Sequence, residues 1–599
     1  MTRPFRLLPA AALAIPFLLA LAVHSPSLGF GFISDDGKLV LENPQVTSAG
    51  PLRALLATDW FDAGDGRRIG YWRPVVKASL RATYRLAGPS PFAFHLGNVL
   101  AHALAALLLA ALALDLGGPA AALVAGALFA VHPMTVQAVS IVTARSDVLA
   151  AVFVLATLVA VLRHARTDSA AALAAIPALA VLAMGSKESA LLLPLLAVAA
   201  GLAAGAPRGA LARVGGASLL AAAAFLVLRT AVLDVRPAAN NLASLALPER
   251  SLFVLKALGA YAIQLAVALP TVRLPQRPTG LLDPLVLTGL AAAGAGAAIV
   301  ARGRLRTVPA FAVVLTGLTL APALAVWLVH IPRWHEEVPV AERWLYLPVA
   351  GAALLVGSVA GRVAAPGPAH RLLFVALVIA LAGASFSRSE TFRSQTALGR
   401  AAEAELLRAD AASLNPRERY YAHTLRAARA LNEGRIADGL RDLLLADEIA
   451  PALPDHLAVV AQAELELGHP ERAVAALERL LSPEFASRPD LEAQRAAFGN
   501  DALPRMDRAP LWHQLAVALA AARRADDATA AFRRSAALAR PGRPRAAHLV
   551  DLAFHLANTE RREEARVVLE RAVAEAPDWD RPRRELARLD ANEARPRFR

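Results

Sequence analysis

FHLGNVLAHALAALLLAALA, residues 94–113, decides the fold. Apart from His95, Asn98 and His102 it is apolar over about the 20 residues a helix needs to cross a hydrocarbon core of roughly 30 Å. The three polar residues stand at i, i+3 and i+7, hence on one helical face. A polar stripe in a membrane helix turns towards protein interior or a cavity. It either joins helices by hydrogen bonding or touches a substrate, and the spacing serves both. No third ligand stands at a spacing suited to zinc, so no metal is expected.

Comparable stretches recur along the first two thirds of the chain. Candidate spans lie near 7–24, 95–115, 118–131, 147–163, 171–184, 189–205, 211–230, 251–270, 281–300, 308–330, 343–360 and 371–387. Several are short, so about eleven to thirteen membrane helices are expected. Over all 599 residues the chain is 56% hydrophobic, with a mean hydropathy of +0.45. Residues 400–599, by contrast, are dense in Arg, Glu and Asp and hold no such stretch. The expectation is an all-α protein in two parts. Residues 1–390 form a polytopic membrane domain with an external loop at 25–92, 391–415 a linker, 416–580 a helical repeat array and 581–599 a basic tail.

The chain has no cysteine, which excludes disulfides and thiolate chemistry. Its formal charge of +14 is scattered over loops and helix faces rather than gathered into a basic module, so no nucleic-acid partner is expected. The arginine clusters at 163–166, 207–213, 302–306 and 362–371 read instead as cytoplasmic loops. They place the 25–92 loop and the C-terminal part on the external face. One count resists: three spans lie between 213 and 302, where two cytoplasmic loops need an even number, so one of them is expected to be re-entrant or interfacial. The apolar run at the N-terminus reads as an uncleaved first span, and the Ala/Arg-rich, Lys-poor composition as a bacterial inner-membrane protein.

From residue 416 the pattern changes to helix–turn–helix with a period near 34. Trp512, Ala516, Ala528 and Phe532 are matched at the same offsets by Leu457, Ala461, Ala473 and Leu477, and by Leu549, Ala553, Ala565 and Leu569. Tyr421 and Ala437 are read as a weaker fourth copy. This is the tetratricopeptide repeat signature, and stacks of such repeats form a groove for partners.

The chemistry lies in short polar clusters beside the apolar helices. GFISDDGKLVLENPQV (31–46) carries the adjacent carboxylates Asp35 and Asp36. Partial burial and a like-charged neighbour each raise a carboxylate's pKa towards the range of a general base. The sequence does not say which of the two is the base. Arg73 in YWRPV is a phosphate clamp or an interface anchor. His132, Arg145 and Asp147 bracket a ten-residue amphipathic segment. Lys187 and Glu188 sit in the break MGSKESALLLP, and Glu342, Arg343 and Tyr346 open AERWLYLP. Ionisable groups at a membrane rim are costly and mark a site by default, and these are expected to converge on one polar cavity.

Together these clusters resemble the transmembrane-and-tetratricopeptide-repeat O-mannosyltransferase family, whose members have the GT-C glycosyltransferase fold. The resemblance runs in order through FISDDGKLVLENPQV, YWRPV, FHLGNVLAHAL, FAVHPMTVQAVSIVTARSDVLAA, SKES, VAERWLYLPVAG and RSETFRSQTAL, then the repeats. It implies that Asp35 and Asp36 are the family's acidic pair in the first external loop. It also implies inverting transfer from a polyprenyl-phosphate sugar to an acceptor hydroxyl, with Arg73, Arg145, Lys187 and Arg343 as candidate phosphate-binding cations. No cofactor is expected, and the implied partners are the lipid-linked donor, membrane lipid and a protein acceptor held by the repeat groove. Gln137 stands where an acidic residue is usual in the family, and Phe392 where a tryptophan is common. A non-catalytic membrane scaffold with a repeat array is the alternative class, and a lipid or polysaccharide transporter a third. A scaffold has no use for an acidic pair facing cations, and a transporter would lack a long external loop with its own acidic pair and would not need a recognition array.

Overall fold

The computed structural model describes residues 9–47, 51, 55–61, 70–232, 246–268, 278–329, 341–362, 367–408, 416–451, 455–483 and 508–591. It is 85% helical, with no strand among the described residues. The chain divides into two compact units, residues 1–402 and 403–599.

The first unit holds α1 (Pro9–His24), α2 (Pro74–Ala87), α3 (Pro91–Val131), α4 (Arg145–Thr167), α5 (Ala170–Ser186) and α6 (Leu193–Ala203). It continues with α7 (Arg208–Val232), α8 (Leu247–Val267), α9 (Pro284–Gly303), α10 (Val308–Val329), α11 (Tyr346–Ala360) and α12 (Pro368–Ser389). Nine stretches among the described residues are long and apolar enough to cross a membrane, and two shorter apolar helices accompany them. The protein is therefore a multi-pass membrane protein.

The longest helix, α3, is two helices. Gly118 breaks it with φ 81° and ψ −175°, and Pro119 follows. That φ is open to glycine and strained for other residues. Residues on either side of the break face one another. A Cβ at Gly126 would lie 2.9 Å from the Ala110 methyl, and His102 Nε2 lies 3.3 Å from the Ala130 carbonyl oxygen. A straight helix would hold His102 and Ala130 about 42 Å apart at 1.5 Å per residue. So 91–117 and 119–131 form an antiparallel hairpin, matching the separate spans expected at 95–115 and 118–131. With both arms counted, the described apolar helices number twelve.

The parity problem between 213 and 302 has a structural counterpart. Arg229, near the end of α7, donates to the Gly70 carbonyl at 2.7 Å, and the Leu265 carbonyl, near the end of α8, meets His132 Nε2 at 3.4 Å. Both helices finish at the end of the bundle that carries loops 25–92 and 132–147.

The second unit begins within α13 (Gln395–Arg408), so the segment read as a linker is largely helical. Four helix pairs follow: α14 (Pro416–Asn432) with α15 (Ile436–Ile449), α16 (Asp455–Glu466) with α17 (Pro470–Leu481), α18 (Arg508–Ala521) with α19 (Ala525–Leu538), and α20 (Arg543–Asn558) with α21 (Arg562–Glu575). The helix α22 (Asp580–Asp590) closes the described part. Each pair is joined by a three-residue turn whose middle residue has positive φ: Gly434, Gly468, Arg523 and Glu560.

The phased positions are core. Leu457, Ala461, Ala473, Leu477, Ala516, Ala528, Phe532, Leu549, Ala553, Ala565 and Leu569 are all buried, and the alanines let paired helices approach closely. The fourth copy needs a correction. Tyr421 and Ala437 are exposed, whereas Ala427, Gly439 and Leu443 are buried, and these stand 34 residues before Ala461, Ala473 and Leu477. The copy starts two residues later than its aromatic residue suggests. Residues 409–415 of the expected linker and 592–599 of the expected tail lie outside the described residues.

Candidate active site

Asp35 and Asp36 have opposite surroundings. Asp36 is fully buried. Its carboxylate accepts from the backbone amides of Thr143 at 2.8 Å, Ile33 at 3.1 Å and Val142 at 3.3 Å. Burial raises its pKa above the ordinary carboxylate value, and the hydrogen bonds from Thr143, Ile33 and Val142 counter only part of that. The carboxylate thus joins the loop between α1 and α2 to the 132–147 segment. Asp35 is exposed, and among the described residues its side chain makes no hydrogen bond. Ser34, immediately before it, adopts φ 54°, a left-handed conformation that costs a non-glycine residue on the order of 1 kcal/mol.

The buried segment 132–147 connects the clusters. Asn98 donates to the carbonyls of Ile141 at 3.0 Å and Val139 at 3.3 Å, and accepts from Arg145 Nε at 2.8 Å. Arg145 is buried and also donates to the Phe94 carbonyl at 2.6 Å, Thr83 Oγ1 at 3.0 Å and the Ser79 carbonyl at 3.4 Å. Gly97 makes room for it, since a Cβ there would lie 2.9 Å from an Arg145 nitrogen. Through these four hydrogen bonds Arg145 ties α2, α3 and α4 together.

A second group is charged and only half-buried. Arg73 binds Glu188 through two nitrogens at 3.0 and 3.1 Å, Glu188 also accepts from the Trp72 amide at 3.1 Å, and the Arg73 guanidinium lies 5.0 Å from the Tyr71 ring centre. Lys187 pairs with Asp147. Burial pulls the Lys187 ammonium below its ordinary pKa against the pull of Asp147, and Arg73 and Arg343 add to the lowering. Gln137 accepts from the Arg343 amide at 2.8 Å, whereas the Arg343 guanidinium has no carboxylate partner among the described residues. Among the described residues, three cations stand against two carboxylates, Glu188 and Asp147. That is the electrostatic form of an anion site.

The remaining residues singled out from the sequence are structural in their contacts. His102 Nδ1 lies 2.7 Å from the Tyr346 hydroxyl and its ring stands edge-on to His24. His95 Nε2 lies 3.4 Å from the Gly31 carbonyl. His132 accepts from the Met134 amide at 3.2 Å. Buried Glu342 pairs with Arg388 at 2.6 Å. The polar stripe of α3 therefore turns inward, with His102 and Asn98 binding protein groups.

Several contributors carried no signal of spacing. Thr143 holds Asp36, Arg388 neutralises Glu342, and Gln395 Oε1 accepts from the Ser34 amide at 2.9 Å. Phe392, in the motif RSETFRSQTAL, packs with Ile33, Val136, Ile141 and Ala144, filling the place usual for a tryptophan.

A family model described as dolichyl-phosphate-mannose-protein mannosyltransferase matches residues 73–233. The Drosophila melanogaster protein O-mannosyl-transferase Tmtc1 is 35% identical over 184 residues, covering 30% of this chain and 21% of that protein. Tmtc2 of the same organism is 37% identical over 152 residues, 25% of this chain and 16% of its own. Human protein O-mannosyl-transferase TMTC3 is 28% identical over 150 residues, again 25% and 16%. The chain thus spans about a fifth or less of the length of these curated relatives. Over this region the chain is similar to these protein O-mannosyl-transferases.

Proposed function

We propose that the protein transfers a sugar, mannose by analogy with the activity its relatives are named for, from a polyprenyl-phosphate donor to a Ser or Thr hydroxyl of a protein. The observation that carries this reading is the split within the acidic pair: a free carboxylate, Asp35, beside one wholly consumed in holding its loop, Asp36. Asp35 takes the proton from the acceptor hydroxyl as that oxygen attacks the anomeric carbon. The bond from that carbon to the phosphate oxygen breaks with its electron pair on the phosphate. A phosphate leaving group needs cations rather than a general acid, and Arg343 and Lys187 supply them. Arg73 with Glu188, and Asp147 with Lys187, fix the positions of those charges. Asp36, Arg145, Asn98, His95, His102, His132, Glu342 and Tyr346 hold the loops.

The helix pairs of 416–580 are proposed to be tetratricopeptide repeats that receive the acceptor protein. Their placement with the Asp35 loop on the external face of a bacterial inner membrane follows the arginine-rich loops and the composition. The relatives named above are animal proteins, so this location rests on the chain itself. The test is incubation of the purified protein in detergent with polyprenyl-phosphate mannose and other polyprenyl-phosphate sugars. Release of polyprenyl phosphate that depends on a hydroxyl acceptor supports the reading. No release with any of these donors, from protein that is folded and monodisperse, contradicts it.

A further inference from the structure

We propose that Gln395 is a positioning residue that aims Asp35, an inference resting on the reading of Asp35 as the base. Asp35 has no side-chain hydrogen bond of its own among the described residues, so its direction is set by the backbone on either side. On its C-terminal side, Asp36 is fixed by three backbone amides, and its own amide donates to the Ile33 carbonyl at 3.0 Å. The N-terminal side is the strained one, with Ser34 at φ 54°. A residue persists in that region only where its surroundings over-determine it.

Those surroundings come from the segment after the last membrane helix. The Gly31 amide donates to the Arg393 carbonyl at 3.1 Å, Phe392 is buried against Ile33, and Gln395 takes the Ser34 amide. Of these, Gln395 alone acts through a side chain on the strained peptide that leads into Asp35. It is exposed at the start of α13, so removing its amide opens no cavity, and water can take the freed Ser34 N–H. The loop then relaxes without unfolding. A shift of about 1 Å in a reacting group costs on the order of 100-fold in rate, so the effect appears in turnover.

The experiment compares full-length Gln395→Ala and Gln395→Glu with wild type and Asp35→Asn in the transfer assay, with hydrogen exchange of the 31–36 peptide. Gln395→Ala is expected to lower kcat roughly 10- to 100-fold, leave both KM values within about threefold, speed exchange of the Ser34 amide and leave the melting midpoint unchanged. Gln395→Glu keeps an acceptor oxygen in reach and restores kcat to within about threefold. The double variant Asp35→Asn/Gln395→Ala is expected to be no slower than Asp35→Asn, because the second change acts only through the first residue. Full kcat in Gln395→Ala while Asp35→Asn is inactive overturns this inference alone. So does a Gln395→Glu protein as impaired as the alanine variant. Full kcat in Asp35→Asn overturns the reading of the base, and this inference with it.

Discussion

The 132–147 segment and the helix pairs of 455–481 and 508–575 bury their side chains by different means. In the helix pairs, burial follows a pattern: small and apolar residues return at the same offsets within each pair, and each pair is closed by a local turn. In 132–147 nearly every residue is buried without any period, and several of its polar groups are met by partners distant in sequence. Thr143 meets Asp36, Gln137 meets Arg343, Asp147 meets Lys187 and Arg145 meets Asn98. Local repetition makes a scaffold that tolerates change at one unit. Long-range satisfaction makes a site in which each lost partner strands another buried group.

The sharpest way to break this contrast is at Arg145. Arg145→Ala strands the oxygens of Asn98, Phe94 and Thr83 together, and each buried acceptor left unsatisfied costs about 1–3 kcal/mol. Thermal unfolding in detergent is expected to show a large fall in the midpoint of the membrane unit. A midpoint within a degree or two of wild type would mean the segment is not held as described.

A smaller effect is expected in the repeats. Asp447 joins α15, α16 and α17, accepting from His456 at 2.8 Å and Arg479 at 2.7 Å. Burial alone would raise its pKa, but those two hydrogen bonds bring it from an ordinary 3.8 down to about 2. A lowered folded-state pKa contributes stability above about pH 4 that is lost as the pH falls towards 2. Asp36, with its pKa raised, has the opposite sign: the folded state holds that proton more tightly, and its contribution weakens as the pH rises through the raised value. Asp447→Asn is expected to cost the repeat unit about 1–2 kcal/mol at neutral pH and to flatten its acid unfolding. An unchanged acid limb in the variant would show that the cluster carries no such linkage.

The smallest effect is a gain. Arg523 and Glu560 occupy left-handed turn positions that Gly434 and Gly468 fill elsewhere in the array. Glu560→Gly and Arg523→Gly are each expected to stabilise the unit by about 0.5–1 kcal/mol, read as a raised midpoint. A fall in the midpoint would mean that the arginine and glutamate side chains contribute more than the turn strain costs.

The same contrast accounts for what could be read from residues alone. The all-α class, the membrane helices and three of the phased repeat copies follow from local hydrophobic pattern, which burial in a membrane or a helix pair enforces residue by residue. Even there an aromatic misleads: Tyr421 drew the fourth copy two residues out of register, while Gly439, small enough for the close approach, holds the true position. The break at Gly118-Pro119 was visible as two spans because backbone chemistry announces it. At the candidate site, residue types marked the polar clusters but not which side chain meets which. Nothing in the spacing separates Asp35 from Asp36, because two of the three amides that hold Asp36, those of Val142 and Thr143, lie more than 100 residues away. Nothing marks Arg145 as occupied rather than free, and Gln395 has no charge to draw attention.

The most direct test of the account compares Asp35→Asn with Asp36→Asn by single-turnover transfer and by thermal unfolding of the same preparations. Loss of a positioned general base costs about 10²–10⁴-fold in rate. Asp35→Asn is expected to show that loss with an unchanged midpoint. Asp36→Asn replaces one accepting oxygen with a donor against buried amides, at a cost of about 1–3 kcal/mol, so a lowered midpoint is expected with only a partial loss of rate. Wild-type transfer by Asp35→Asn, or the same change in rate and midpoint for both variants, would contradict the division of labour between the two carboxylates.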